Sequence, residues 1–285
     1  MIAAEKKRWE WEINSKTSYR GAPLLELWSY RHLLASFVRR DFLINYQQTI
    51  LGPLWMLLQP TLTLFTYVLV FGRLVGLSTG TLPSVLFYFS GIILWNFFND
   101  CFSGTSSTFR DNAHIFSKVY FPRLIVPASV MCTQLIRFGI QLFLLLLMVW
   151  YFVQFKDFNP APNAWFFAFP VAVLAVGAIS LGMGLTLSVI TAKYRDLAGF
   201  VSLGIRLLMF GTPVIYPVTS LPENVRWIVQ LNPLTPLFEL FRLSLLGEGV
   251  VSYNQLAYSF LFTVVLLTGA LLLFNKKGDN LIDIV

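Results

Sequence analysis

Apolar residues in this chain gather into six long runs separated by polar connections: Leu51–Val75, Val85–Ser106, Val126–Phe152, Ala164–Thr191, Phe200–Tyr216 and Asn254–Phe274. A helical bilayer crossing takes roughly 20 mostly apolar residues, so every run qualifies as a span, the fifth only just. Ahead of the first run the pattern changes. Over Leu24–Phe42, Leu24, Leu27, Trp28, Leu34, Val38 and Phe42 share one side of a helical wheel, and His32, Ser36, Arg39 and Arg40 share the other. That spacing predicts an amphipathic helix on the membrane surface, its apolar face interrupted by Arg31. Between the last two runs, Pro217, Pro222, Pro233 and Pro236 set off Glu223–Leu231 and Leu237–Leu246, which have helical spacing but too few residues to cross. Re-entrant backbone is tolerated where protein or a water-filled cavity satisfies it, so this pair marks the mouth of a pathway. The expected fold is all-α and integral to the membrane: six transmembrane helices preceded by an amphipathic interface helix, with a re-entrant helical hairpin before the last span. Residues 1–23 are expected as a cytoplasmic tail, 24–50 as the interface helix and the loop leading into the first span, 51–275 as the membrane domain, and 276–285 as a second cytoplasmic tail.

Charge fixes the expected orientation. Of 21 basic residues, 8 precede the first span, and the segments after the second, fourth and sixth hold 3, 2 and 2; the alternate connections hold 3. Positive charge favours the cytoplasm, so both termini are expected there. A composition that is 56% hydrophobic and 12% charged, with mean hydropathy +0.67, excludes an ordinary soluble domain. The net charge of +7 is scattered over connections rather than gathered on one face, which excludes nucleic-acid binding. Residues 1–20 are charged and lack an apolar core, so no cleavable signal peptide is expected and the first span directs insertion. Cys101 and Cys132 fall in or near the cytoplasmic half of the membrane and are expected as free thiols.

Little catalytic chemistry is present. The only histidines are His32 and His114, and neither metal-ligand spacing nor a nucleophile elbow occurs. No Gly-Lys dipeptide occurs either, so a phosphate-binding loop is missing and any ATP and magnesium would be used by a partner, with no cofactor bound by this chain. Asp100 is the one acidic residue inside an expected span, about 22 Å from the outer end of the second. Arg137 and Arg206 come out roughly 16 and 9 Å from the inner ends of theirs, which predicts an intramembrane ion pair between Asp100 and one of them. Pro53 belongs at a helix start, whereas Pro60 falls inside the first span, where it would kink the helix or free a carbonyl. In Arg110–Arg123, a short helix ending before Pro122 would expose Ile115, Phe116 and Val119 for lipid or a soluble partner to cover.

The stretch from Arg39-Arg40-Asp41-Phe42-Leu43-Ile44-Asn45-Tyr46 through Leu51-Gly52-Pro53-Leu54-Trp55 and Leu58-Gln59-Pro60 resembles the permeases of polysaccharide-exporting ABC transporters. The likeness continues in Trp95-Asn96-Phe97-Phe98, Asn112-Ala113, Lys118-Val119-Tyr120-Phe121-Pro122-Arg123, Tyr194-Arg195-Asp196, Thr212-Pro213-Val214-Ile215-Tyr216-Pro217 and Leu231-Asn232-Pro233-Leu234. It implies a subunit of the bacterial inner membrane that pairs with a second copy of itself and with two ATP-binding subunits. Its cargo would be a lipid-linked glycan, commonly O-antigen on undecaprenyl diphosphate. Teichoic-acid and capsule exporters are similar too, and an ATP-independent channel or a membrane acyl-transfer enzyme are readings from other classes. Carried onto this sequence, the resemblance implies contact with the ATPase through Ala113, His114, Ile115, Phe116 and Lys118, and through Arg39 and Arg40 on the surface helix. It implies a channel entrance at Leu51, Gly52 and Pro53, channel or substrate contacts at Pro60, Phe65, Arg206, Phe210 and Tyr216, and an external gate within 217–253 that includes Trp227, Pro233 and Pro236. Similar permeases often carry an uncharged polar residue where Arg206 stands; facing the channel, this guanidinium would meet a substrate pyrophosphate.

Overall fold

The computed structural model describes residues 28–44, 46–116, 118, 121–160, 164–194 and 196–281, and their regular structure is helical throughout. A surface helix, α1 (Arg31–Ile44), precedes a composite first span. That span opens with a tight turn at Gly52–Leu54, becomes α2 (Trp55–Tyr67) and ends in a wider π-helical coil over Val68–Leu74. Then follow α3 (Ser84–Ser106), α4 (Thr108–Phe116), α5 (Ile125–Phe155), a 3-10 turn at Ala164–Ala168 leading into α6 (Phe169–Lys193), and α7 (Leu197–Phe210). The chain closes with α8 (Glu223–Leu231), α9 (Thr235–Leu246) and α10 (Tyr253–Leu281).

Five of these helical stretches are long and apolar enough to cross a membrane: Gly52–Leu74, Ser84–Ser106, Ile125–Phe155, Ala164–Ala192 and Tyr253–Lys276. The expected fifth span, Phe200–Tyr216, does not form one helix. Its helical part is α7, 14 residues or about 21 Å long, against a hydrocarbon core of about 30 Å. The remainder, Gly211–Tyr216, turns and is largely buried.

At the centre stands α3, where every residue from Leu86 to Trp95 is buried. It packs against α2, α5, α6 and α9, while α6 is in turn covered by α10. Close approach depends on missing side chains. A methyl group on Gly91 would lie 2.6 Å from the Val214 carbonyl oxygen and 2.8 Å from an Arg242 nitrogen, so only glycine lets α3 run against the Gly211–Tyr216 turn.

Pro60 sits in the interior of α2 and is buried. Proline cannot donate to the carbonyl four residues back, which here is that of Met56. The side chain of Gln141 on α5 donates to that oxygen at 3.3 Å, so the proline creates an acceptor that a neighbouring helix uses for docking. Pro60 therefore faces the packed side of the first span, not an open channel.

A second apolar cluster lies at the other end of the bundle, joining Phe37 of α1, Phe109 and Phe116 of α4, Phe121, Ile125, Leu185 of α6 and Phe274 of α10. The expected apolar face of the surface helix is thereby corrected. Leu33, Leu34 and Phe37 turn inward and α1 packs on α5, while Trp28 and Ile44 stay exposed. Leu24 and Leu27 lie outside the described residues.

Candidate functional site

Three surfaces carry the residues named from sequence. The first is the end of the bundle formed by α1 and α4. Phe116 was expected on the exposed face of the short helix but is buried, its ring stacked 5.6 Å from Phe121, which meets Phe37 at 5.7 Å. Phe109 bridges Phe116 at 5.8 Å and Phe274 at 5.0 Å. An aromatic chain thus joins α4 to α1 and to the end of α10, and Ile115 packs beside it. His114, Lys118 and Arg39 are exposed. Arg40 is bound to Asp41 at 2.8 Å and covers the Phe37 ring at 4.7 Å, so it seals the cluster. Ala113 lies on α4 with its side chain outside the described residues, as are Val119 and Tyr120 altogether. Leu51, Gly52 and Pro53 make the turn into the first span; Gly52 takes φ +50, a left-handed conformation that glycine adopts without steric cost.

The second surface is the open side of the first span and α7. The Tyr67 hydroxyl reaches the Met209 sulfur at 3.9 Å, which sets these two elements side by side. Phe65, Arg206 and Phe210 are exposed there, as are Gln59, Thr66 and Ser202. Tyr216 instead donates its hydroxyl to the Phe210 carbonyl at 2.6 Å, tying the turn to the end of α7. Leu62, Leu69, Phe200, Leu203 and Leu207 are exposed beside Gln59, Thr66 and Ser202, whereas α5 and α10 expose Phe143, Leu146, Leu147, Leu261, Val264 and Val265, with Thr268 the polar residue among them on α10.

The third surface is the α8–α9 hairpin. Trp227, Ile228 and Leu231 are exposed on α8. Pro236 is buried in the first turn of α9, and the Pro233 carbonyl accepts the Ser259 hydroxyl of α10 at 2.8 Å. Both prolines thus help to hold the hairpin in place; Pro233 is half-buried. Asn232 closes the α8–α9 turn: its amide donates to the Gly211 carbonyl at 3.0 Å and the Thr212 hydroxyl at 2.9 Å, and its own oxygen accepts the Leu234 amide at 3.0 Å.

The ion pair expected at Asp100 is not formed. Asp100 accepts the Asn99 side-chain amide at 3.1 Å, and no described basic group lies within 4 Å of its carboxylate. Arg137 instead contacts Gln134 at 3.4 Å and lies 5.5 Å from the centre of the Tyr46 ring. Arg206 lines a cleft between α3 and α7. The helical depths are compatible with pairing, but neither arginine comes within 4 Å of the Asp100 carboxylate.

The buried pair is elsewhere, in α9. Arg242 and Glu239, one helical turn apart, meet at 3.4 Å with side chains 2% and 6% exposed. Arg242 also donates to the Val214 carbonyl at 3.1 Å and the Ser90 hydroxyl at 3.4 Å, and lies 3.9 Å over the Phe87 ring. Glu239 accepts the Val250 amide at 3.0 Å. One charged pair therefore holds α3, the Gly211–Tyr216 turn, α9 and the loop leading to α10. Beside it a cavity of about 320 Å³ opens toward Thr79, Gly80 and Glu248. Burial pushes the Glu248 carboxyl above its ordinary range, against the pull of the Thr81 and Leu82 backbone amides. The i, i+3 spacing of Glu239 and Arg242 within an otherwise apolar helix was the signal in the sequence.

Comparison with known proteins agrees with this architecture. Residues 32–246 match the family described as ABC-2 type transporter. The chain is 30% identical over 257 residues to the O-antigen export system permease protein RfbA of Myxococcus xanthus, covering 90% of this chain and 96% of that protein. It is 26% identical over 254 residues to a protein of the same description from Klebsiella pneumoniae, covering 89% and 95%. The polysialic acid transport protein KpsM of Escherichia coli is 21% identical over 247 residues, covering 85% and 92%. On the extent of these matches and its multi-pass helical structure, the chain belongs to the ABC-2 type transporter family.

Proposed function

We propose that this chain is the membrane subunit of an ATP-driven exporter, in which two copies enclose a channel for a lipid-linked polysaccharide and two ATP-binding subunits drive it. The cargo proposed is a glycan of the O-antigen type carried on undecaprenyl diphosphate. Higher identity to O-antigen export permeases than to the polysialic acid transport protein supports that choice over a capsule glycan. The protein lies in the bacterial inner membrane with both termini cytoplasmic, and α7 with its following turn makes the sixth crossing.

One observation carries the channel assignment: polar side chains stand exposed at membrane depth on the first span and α7. A charged group facing lipid at the bilayer centre costs roughly 2.5–3.5 kcal/mol on insertion scales. Arg206, about 13 Å along α7 from Leu197, is therefore placed toward water or protein. Gln59 and Thr66 give the first span the same kind of face. A second copy set against these faces would remove them from lipid, and the apolar outer faces of α5 and α10 would meet the bilayer.

Closure of the ATP-bound partner would press on the exposed sides of α4 and α1, at His114, Lys118 and Arg39. Because Phe116, Phe121 and Phe37 are packed as one cluster, a push on α4 reaches α1 and the inner ends of α5, α6 and α10. ATP shifts the channel equilibrium only through a difference in those contacts between its two states.

Co-expression with a candidate ATP-binding subunit tests this reading. A two-plus-two complex whose ATPase activity in lipid rises with undecaprenyl-diphosphate-linked glycan is expected. A chain that purifies without any such subunit, or a complex indifferent to the glycan, would contradict it.

A further inference from the structure

A cleft of about 650 Å³ opens between α3, α4, α6 and α7, and the exporter reading above uses only one of its side chains. Asn99, Ser103 and Ser106 recur on one face of α3, and Arg110 continues that line across the break at Ser107 into α4. Ser202 and Arg206, one turn apart on α7, face them, and Thr191 of α6 closes the inner side. This lining holds two guanidinium groups, five hydroxyls and an amide, and no carboxylate.

Both cations are accessible. Arg206 is exposed and has no ion pair or hydrogen bond among the described residues. Arg110 binds Asp111 at 3.0 Å through Nε, which leaves its terminal nitrogens for another acceptor. The Ser106, Ser107 and Ser202 hydroxyls rest on carbonyls of their own helices, so rotation about one bond would aim each into the cleft. Leu203 and Phe210 flank Arg206 on the exposed face of α7, giving an apolar strip beside the cationic one.

Two guanidinium groups among hydroxyls match phosphate oxygens, which accept paired N–H bonds, and an adjoining apolar strip matches a hydrocarbon tail. We propose that this cleft binds the phosphate or diphosphate headgroup of a membrane lipid, with Arg206 and Arg110 on its oxygens and the lipid chain along Leu203 and Phe210. The assignment rests on the exporter reading for its cytoplasmic orientation and deepens it by naming the group recognised. Two sources share this chemistry: a polyprenyl diphosphate carrier and ordinary anionic phospholipid.

The test is direct binding to the purified full-length chain in neutral detergent, using farnesyl diphosphate, farnesol and a short-chain phosphatidylglycerol as probes. Farnesyl diphosphate is expected to bind and farnesol is not. Arg206→Gln and Arg110→Gln should each weaken the diphosphate roughly 10- to 100-fold, as loss of a charge-assisted hydrogen bond does. Arg206→Lys, which keeps the charge without the paired N–H bonds, should weaken binding less than Arg206→Gln, and Arg73→Gln, at the far end of the first span, should leave it unchanged. Phosphatidylglycerol displacing the diphosphate at comparable concentration would assign the site to bulk phospholipid, and a preference of tenfold or more for the diphosphate would assign it to the carrier. Unchanged affinity in Arg110→Gln/Arg206→Gln at an unaltered melting temperature would overturn the site, as would equal binding of farnesol. Either result, in a chain that still assembles with an ATPase and exports glycan, would leave the exporter reading standing.

Discussion

Replacing Arg242 by methionine removes the centre of the α8–α9 hairpin while keeping much of the side-chain volume. Arg242 is 2% exposed, and its loss strands the Glu239 carboxylate with the Val250 amide as its remaining bond, leaves the Val214 carbonyl without its donor, and removes the cation from the Phe87 face. Removing one partner of a buried ion pair typically costs about 3–5 kcal/mol, and the other contacts are part of that cost rather than additions to it. At 1.4 kcal/mol per tenfold, the folded-to-unfolded ratio should fall by roughly two to four orders of magnitude. Glu239→Gln/Arg242→Met, which leaves no buried charge, should recover at least about 1.5 kcal/mol relative to the sum of the single variants. Unfolding in mixed micelles followed by tryptophan fluorescence measures both quantities, and limited proteolysis near residues 211–217 reports whether the turn is released. A cost below about 1 kcal/mol for Arg242→Met, or strict additivity of the two changes, would refute the structural role of the Glu239–Arg242 pair.

Three further outcomes follow from particular contacts. Gln141→Leu should cost about 1–2 kcal/mol because the Met56 carbonyl loses its donor, and Pro60→Ala should offset much of that by restoring the helical amide; equal costs in both backgrounds would disprove the docking role. Phe116→Ala should destabilise the chain by about 3 kcal/mol and reduce export per ATP hydrolysed, whereas His114→Ala, at an exposed position, should lower the melting temperature less and weaken association with the ATPase. For Glu248 the sign follows from its raised folded value: protonation favours the folded state, and that contribution is present below the ordinary glutamate value of about 4.3 and lost as pH rises through the folded value. Glu248→Gln should therefore raise the melting temperature at pH 7 more than at pH 4, and the opposite order would show that its backbone bonds dominate.

Hydrophobic run length makes most of this fold legible in the sequence. The two short helices α8 and α9 are also readable, because prolines bracket them. The fifth run misled because Gly211–Tyr216 is as apolar as a helix, yet Gly211, Pro213 and Pro217 break it. Its free carbonyls are satisfied by Asn232 and Arg242, contacts 21 and 28 residues away along the chain. Phe116 differs for a similar reason: an amphipathic nine-residue helix does not reveal that Phe121 and Phe109 already cover it. Depth along a helix is a one-dimensional quantity, and it could bring Asp100 level with an arginine without giving the direction of either side chain. The polar line of Asn99, Ser103 and Ser106 on α3 was readable at helical spacing, but its meaning required α7 and α4 to stand opposite.

Water access along the proposed channel face tests the central claim most directly. In a Cys101→Ala/Cys132→Ala background, single cysteines at Phe65, Ser202 and Phe210 are compared with single cysteines at Val264 and Leu261 for reaction with a water-soluble maleimide in intact inner-membrane vesicles. The account predicts labelling at the first three positions, modulated by ATP in the assembled transporter, and none at the two on α10. Equal reactivity at both sets, or labelling confined to α10, would contradict it.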